Sequence, residues 1–331
     1  MKVLFRADAS AVIGIGHVAR CLTLAAELAA RGVQVSFACR ELPGHQMVRI
    51  VEAGHEVLRV APDDEFACLA QGPVFDWIIV DHYQLDARWE TRARQWARRI
   101  MVIDDLADRA HDCDLLLDQN FTASEALYQP LVPSSCRLVL GPQHALLRPA
   151  FRQGRTPQAD GSRQVLVSFG GFDQAGMTLK TLQALAGIEG VAVQCIAGQA
   201  STDLLALRAL VEQHPGWVLL PFVHDLPERM AGAALFVGAG GGTTWERAAM
   251  GLPSLCVSVA DNQLANAEAL ANAGVHRYLG QAEQVTVDAL RQAIAALLDD
   301  AALRQDFALR SRALVDGFGA RRVATVLLAD D

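Results

Sequence analysis

Two glycines followed by a histidine, Gly14-Ile15-Gly16-His17, stand at the head of the apolar helical pattern HVARCLTLAAELAARG. Glycines leave the backbone bare for a ligand to approach, and an imidazole at the first turn of a helix is placed to take a proton from whatever sits there. The positive end of the helix disfavours an imidazolium and so favours the neutral, proton-accepting ring. A histidine that only packs or caps is the competing reading. The segment Gly14 to Ala19 also fits G-x-G-x-x-A, with Glu41 near the place of an acidic ribose ligand. In dinucleotide folds, however, the strand turns straight through the glycines into the helix. Here RADASAVI separates Phe5 from Gly14, so a dinucleotide cofactor is not expected.

A second glycine run, Gly238-Ala239-Gly240-Gly241-Gly242-Thr243-Thr244-Trp245-Glu246, lies between the apolar ALFV and the helical ERAAMG. Unobstructed amides at a helix start bind phosphate, and the helix dipole adds about 0.3–1 kcal/mol for an anion. Gly241, Gly242, Thr243 and Thr244 are the candidates for that contact. Glu246, in the first turn, either accepts from a ribose diol or only complements the dipole. The Walker pattern is absent, which removes the usual ATPase reading. Ser168-Phe169-Gly170-Gly171 offers either similar backbone donors or an ordinary tight turn. In DNQLANA, Asp261 or Asn262 caps a helix, while Gln263 and Asn266, one turn apart, share a face.

The elements that must position these groups follow a regular rhythm. VLF, VQVSFAC, HEVLRV, WIIVD, RRIMVIDD and CDLLLDQN alternate with helical stretches, and after a polar interruption VLVSFGG, VAVQCIAG, WVLLPFV, ALFVGAG and SLCVSV repeat the pattern. Strand, helix, strand in this order predicts parallel sheets, whose carboxyl ends are the ligand-binding ends. Several of the early runs end in acidic or amide residues at that end. A chain of 331 residues is more than one core usually organises. The expected division is an N-terminal domain at 1–152, a linker at 153–164 (from QGRTPQADGSRQ) and a C-terminal domain at 165–331 ending in a helical tail. The fold class is α/β, with two Rossmann-like doubly wound domains.

Composition excludes several function classes. Hydrophobic residues make up 52% and charged residues 20%, a globular balance, and no apolar run approaches the roughly 20 residues of a membrane span. The start, MKVLFRADAS, meets charges too early for a signal peptide, so the cytoplasm is expected. Seven scattered cysteines without a C-x-x-C pair suggest neither a disulfide framework nor a thiolate metal site. Nine histidines form no H-x-x-x-H pattern, and no metal is expected. A net charge of −8 argues against a nucleic-acid partner, and no G-x-S-x-G elbow suggests a serine hydrolase.

Taken in order, RADASAVIGIGHVARCLTLA, VDHYQLDARWE, IDDLADRAHDCDLLLDQN, LGPQHALLRPAF, VLVSFGGFD and GAGGGTTWERAAMGLPSL resemble the UDP-2,4-diacetamido-2,4,6-trideoxy-β-L-altropyranose hydrolases of pseudaminic acid biosynthesis. The likeness covers nearly the whole chain. The second half also resembles the peptidoglycan UDP-GlcNAc transferase, in PFVHDL, the glycine run and the Gln263/Asn266 helix. This resemblance implies a GT-B fold whose domains face each other across a cleft. It implies His17 as catalytic base toward water, Val223 meeting uracil through its backbone, Gly241 to Thr244 on the diphosphate and Glu246 on the ribose. Gly170, Gly171, Gln263 and Asn266 complete the UDP side; on the sugar side the candidates are Gly14 and Gly16 and, from their places at strand ends, Arg6, Asp8, Tyr83 and Asp105, each of which otherwise reads as a helix cap or a surface charge. The implied reaction is inverting C–O cleavage that releases UDP and free sugar, without metal or cofactor, by a monomer. A glycosyltransferase, a hydrolase of a related diamino-trideoxy UDP-sugar and a non-catalytic nucleotide-sugar binder are the alternatives. Two stretches depart from the family pattern: Gly171-Phe172-Asp173-Gln174-Ala175 replaces GGSDP, and Gly242 stands in place of a serine.

Overall fold

The computed structural model describes residues 1–153, 162–171, 173–198, 201, 203–221 and 223–329. The linker expected at 153–164 and Phe172 fall largely or wholly outside them. The chain divides into two compact units, Met1–Arg148 with Phe318–Asp331, and Pro149–Gly317. The helical tail expected in the C-terminal domain therefore belongs to the first unit, and the division comes a few residues before the one read from composition.

In the first unit seven strands form one parallel sheet: β1 (Lys2–Ala7), β2 (Gln34–Arg40), β3 (Glu56–Val60), β4 (Phe75–Asp81), β5 (Ala97–Ile103), β6 (Leu115–Asp118) and β7 (Arg137–Leu140). Their order is β3-β2-β1-β4-β5-β6-β7, with every neighbouring pair parallel. The apolar runs are buried on both sides, as a sheet covered by helices on both faces demands. Val3, Phe5, Phe37 and Ile79 face one core, and Leu4, Ile78, Val80 and Ile100 the other. The helix Gly16–Ala29 turns Val18, Cys21, Leu24, Ala25 and Leu28 inward at helical spacing, and Gly32, at φ 81°, reverses the chain after it. The tail helix Gly319–Ala329 adds Val323, Ala324 and Leu327 to the same core. Burial of a Val or Leu side chain stabilises by about 1.5–3 kcal/mol, which explains why a segment 170 residues away in sequence is retained there.

The second unit repeats the plan with six parallel strands: β8 (Gln164–Ser168), β9 (Ala192–Ile196), β10 (Trp217–Leu220), β11 (Leu235–Ala239), β12 (Ser254–Ser258) and β13 (Arg277–Gln281). Their order is β10-β9-β8-β11-β12-β13. In both sheets the chain first winds outward in one direction and then returns to build in the other. The reversal lies between β1 and β4 in one sheet and between β8 and β11 in the other. Open α/β sheets bind ligands beyond the carboxyl ends of the strands at such a reversal. Among the described residues no helix is long and apolar enough to cross a membrane.

Candidate active site

The reversal point of the first sheet carries His17. Before it, Ser10 folds the loop on itself: its hydroxyl accepts from the amides of Val12 (3.2 Å) and Ile13 (3.0 Å), and its carbonyl from Gly14 (2.8 Å). Gly14 adopts φ 82°, a conformation that costs other residues strain. Gly16 is exposed, and a Cβ there would meet no atom within 4 Å. The fold leaves open space in front of it.

His17 is buried, with Nδ1 2.6 Å from Oδ1 of Asp81 at the end of β4. Arg20, one turn along the same helix, grips that carboxylate at both oxygens, Nε to Oδ2 and Nη2 to Oδ1, each at 2.6 Å, while its Nη1 donates to Asp105 at 3.0 Å. Burial pushes the Asp81 carboxyl up, but the charge of Arg20 and the hydrogen bonds from Arg20 and His17 outweigh it and hold the group well below the usual carboxylate range. An ionised Asp81 accepts from Nδ1–H and so directs the other nitrogen, Nε2, to serve as acceptor. No hydrogen bond to Nε2 forms among the described residues. The neighbour that matters most for the ring is thus this carboxylate, rather than the helix end stressed by the sequence reading. Tyr83 stands edge-on to His17, ring centroids 4.6 Å apart at 83°. Burial, then Asp105, raises its phenol above the usual range, so it is a neutral hydroxyl.

Arg6 and Asp8, expected as sugar contacts, are each only 1% exposed. Arg6 donates through Nε to Glu65 (3.0 Å) and through Nη2 to Asp8 (3.0 Å). Asp8 also accepts from the Arg40 amide (2.7 Å) and lies 3.2 Å from His82 Nε2. These charges tie the ends of β1, β2 and β4 together beneath the site. They do not face outward. A second buried group holds the loop carrying Asp105. The Tyr128 hydroxyl lies 3.0 Å from both Asp104 and Asp118. Burial, assisted by the charges of Asp105 and Asp104 against hydrogen bonds from the Asn120 amide and the Tyr128 hydroxyl, raises Asp118 to about 6.

In the second unit the glycine run follows β11 into the helix Thr243–Met250. The Gly240 amide donates to Gln263 Oε1 (3.2 Å), as does Val259 (3.1 Å). Gln263 thus braces two loops and keeps only its amide nitrogen for a ligand. The amides of Gly241, Gly242 and Thr243 donate to no described group, whereas Thr244 and Trp245 donate back to Gly241 and Gly242. Thr243 is half-buried, but Thr244 and Asn266 are buried and do not present open faces, contrary to the expectation for both. Glu246 is half-buried in the first turn, and Val223 is half-buried before the helix Leu226–Gly232. Gly170, at φ 93°, and Gly171 are exposed after β8. Asp173 accepts from the amides of Met177 (3.1 Å) and Thr178 (2.7 Å), so in the altered GGSDP segment it caps a helix.

The second unit matches the glycosyltransferase family 28 C-terminal domain over residues 180–312. The chain is 32% identical over 188 residues, 56% of its length, to the UDP-2,4-diacetamido-2,4,6-trideoxy-β-L-altropyranose hydrolase of Campylobacter jejuni. The resemblance read from the motifs is thereby shown. The spore coat polysaccharide biosynthesis protein SpsG of Bacillus subtilis is 30% identical over 59% of this chain. The matched stretches span 66% and 59% of those two relatives. A peptidoglycan UDP-N-acetylglucosamine transferase from Chromobacterium violaceum is 40% identical over 39% of the chain and 34% of its own length. Among solved structures, MurG of Acinetobacter baumannii superposes with TM-score 0.70 at 19% identity, covering 99% of both chains. The fold is GT-B.

Sequence reasoning missed Asp81 and Arg20. Asp81 was visible as the acid closing the strand WIIVD, and Arg20 as the residue one turn beyond His17. Nothing local pairs them, because 61 residues separate the two.

Proposed function

We propose that the chain hydrolyses a UDP-sugar with inversion, His17 removing a proton from the attacking water. The observation that carries this reading is the buried His17–Asp81 contact at 2.6 Å with Nε2 unengaged. Asp81 fixes the tautomer and supports the positive charge that forms on the ring as Nε2 takes the proton. General-base catalysis of this kind contributes about 10²–10⁴-fold. The nucleotide is taken by the free amides of Gly241, Gly242 and Thr243, with Glu246 at the ribose and Val223 at the base. UDP leaves with its charge already held by amide donors, so no strong acid is required at the glycosidic oxygen. Water attacks the anomeric carbon opposite UDP, the C–O bond to the phosphate breaks, and free sugar and UDP are released. The Campylobacter relative supports the altro-configured diacetamido-trideoxy sugar as substrate, and the reaction as described needs neither metal nor cofactor.

The family 28 match supports a second reading, in which the same base activates an acceptor hydroxyl. An acceptor-free assay separates the two. Incubation with the altro-configured UDP-sugar in ¹⁸O-water should release UDP and place the label on the sugar carbon. Label in the phosphate, or turnover only on adding an acceptor, would overturn hydrolysis at carbon. EDTA should leave the rate unchanged.

A further inference from the structure

Arg247, in the helix that follows the glycine run, is 2% exposed. Arg6, the comparable buried cation of the first unit, is ion-paired to Asp8 and Glu65. Arg247 has no carboxylate within ion-pair distance among the described residues. Its Nη1 donates to the Ala239 carbonyl (3.0 Å) and its Nη2 to the Thr244 hydroxyl (3.0 Å), while the guanidinium lies 5.3 Å from the Phe236 ring centroid. All three partners are uncharged. Two further side chains that feel its charge, His276 and Cys256, are neutral as well. Burial, with Arg247 acting in the same direction, pushes His276 down to about 3, and burial keeps the Cys256 thiol protonated against the pull of the same cation.

A buried cation without a counter-charge is costly, and a sequence that only needed to fill this space would place an apolar side chain there. The two hydrogen bonds show where the charge acts. Ala239 and Thr244 bracket Gly240, Gly241 and Gly242, so the guanidinium holds both ends of the loop whose outer amides, those of Gly241, Gly242 and Thr243, lack acceptors among the described residues. Thr244, expected on the phosphate, turns inward and serves as the strut between Arg247 and the loop.

We infer that Arg247 is a positioning residue and the buried counter-charge for the diphosphate of a nucleoside diphosphate seated on the Ala239–Thr244 loop. The second unit then separates nucleoside diphosphates from nucleosides by charge as well as by amide donors. This rests on the nucleotide reading of the loop proposed above. It assigns the discrimination to a side chain that need not touch the ligand.

Calorimetric titration of the full-length protein with UDP, UMP and uridine, for wild type, Arg247→Gln and Arg247→Lys at one fixed low ionic strength, tests it. Wild type should bind UDP more tightly than UMP, and UMP more tightly than uridine. Arg247→Gln should lose about tenfold in UDP affinity, the scale of one electrostatic contact, with uridine changed less than twofold, and Arg247→Lys should recover most of the loss. UDP affinity unchanged in Arg247→Gln overturns the inference. So does an equal loss for UDP and uridine, which would mark Arg247 as packing alone. If thermal melting shows that Arg247→Gln does not fold, Arg247→Met, which keeps an apolar stem over Phe236, is titrated in its place with the same two outcomes decisive. Wild type that binds neither UDP nor uridine defeats the nucleotide reading itself, a failure distinguishable because it precedes any variant.

Discussion

The two sheets share a strand order, yet their reversal points are built from different materials. Beyond β1 and β4 the first unit concentrates charge in two hydrogen-bonded groups, His17 with Arg20 and Asp81, and Arg6 with Asp8 and His82, much of it buried. Beyond β8 and β11 the second unit presents backbone, with Gly170, Gly171 and Gly242 exposed, Gly241 half-buried and, among the described residues, one buried cation, Arg247, behind the Ala239–Thr244 loop. A proton has to be moved by a side chain whose ionisation its neighbours set, so a base requires a web of partners. A diphosphate is held by amide donors that exist in every residue, so a phosphate site requires mainly that side chains stay out of the way. The difference in composition is therefore a difference in task.

His17→Asn offers the sharpest way to break the comparison. Turnover should fall by about 10²–10⁴-fold while UDP affinity by calorimetry stays within twofold. A comparable loss of UDP binding would mean that the division of tasks is wrong. Asp81→Asn should come next, lowering kcat by up to about 10⁴-fold through the wrong imidazole tautomer. It also leaves Arg20 half-unpaired, and disruption of a buried pair costs about 3–5 kcal/mol, to be read as a lower midpoint in chemical denaturation. Activity near the wild-type level would show that His17 needs no partner to orient it.

Gly238→Ala probes the other unit. A Cβ at that position would overlap the Ser168 carbonyl and the Phe236 ring, an overpacking that costs about 1–3 kcal/mol. The melting temperature should fall, and in any fraction that remains folded the pH dependence of turnover should keep its shape, because the base lies in the other unit.

The pH dependence of stability sharpens the contrast further. Asp118, normally near 3.8, titrates at about 6 in the folded chain, so the folded state holds its proton more tightly than the unfolded state. Its contribution favours folding below about pH 4 and is lost as pH rises through about 6, an effect of up to about 3 kcal/mol. Asp81 and Asp8, held low, act oppositely: their contribution is present above about pH 4 and is lost as pH falls. Denaturation of wild type and Asp118→Asn between pH 4 and 7.5 should show the variant gaining relative stability as pH rises. A flat difference would show that burial does not raise the Asp118 carboxyl in the folded chain. The smallest effect is expected for Tyr83→Phe, a fewfold change in kcat/KM, since the ring contact with His17 survives loss of the hydroxyl.

Much of this protein was legible from its residues. The alternation of apolar runs and helical patterns gave parallel sheets and two α/β units, because burial on both faces of a strand demands continuous apolar runs. The helix-initiating glycine run and the Gly14 to His17 segment were also found locally, since glycine and helix-start chemistry act within a few residues. Less legible were contacts that span the chain. Arg6 and Asp8 read as sugar contacts at a strand end, but Glu65, Arg40 and His82 converge on them from three other segments. The tail helix read as part of the second domain because it follows it in sequence, although its apolar face fits the first core. Thr244 and Asn266 carried suitable groups whose direction no local pattern encodes.

What the sequence by itself determined was therefore the set of elements and the local backbone chemistry: where strands end, where glycines open a loop, and which histidine begins a helix. Tertiary structure alone decided which charges meet. The order of the strands brings Asp81 beside His17 and Arg20, and packing under the glycine loop gives Arg247 uncharged partners. Propensity and burial are properties of neighbouring residues and survive in a linear reading, whereas the ionisation and direction of a side chain depend on distances of a few ångströms between segments far apart in the chain.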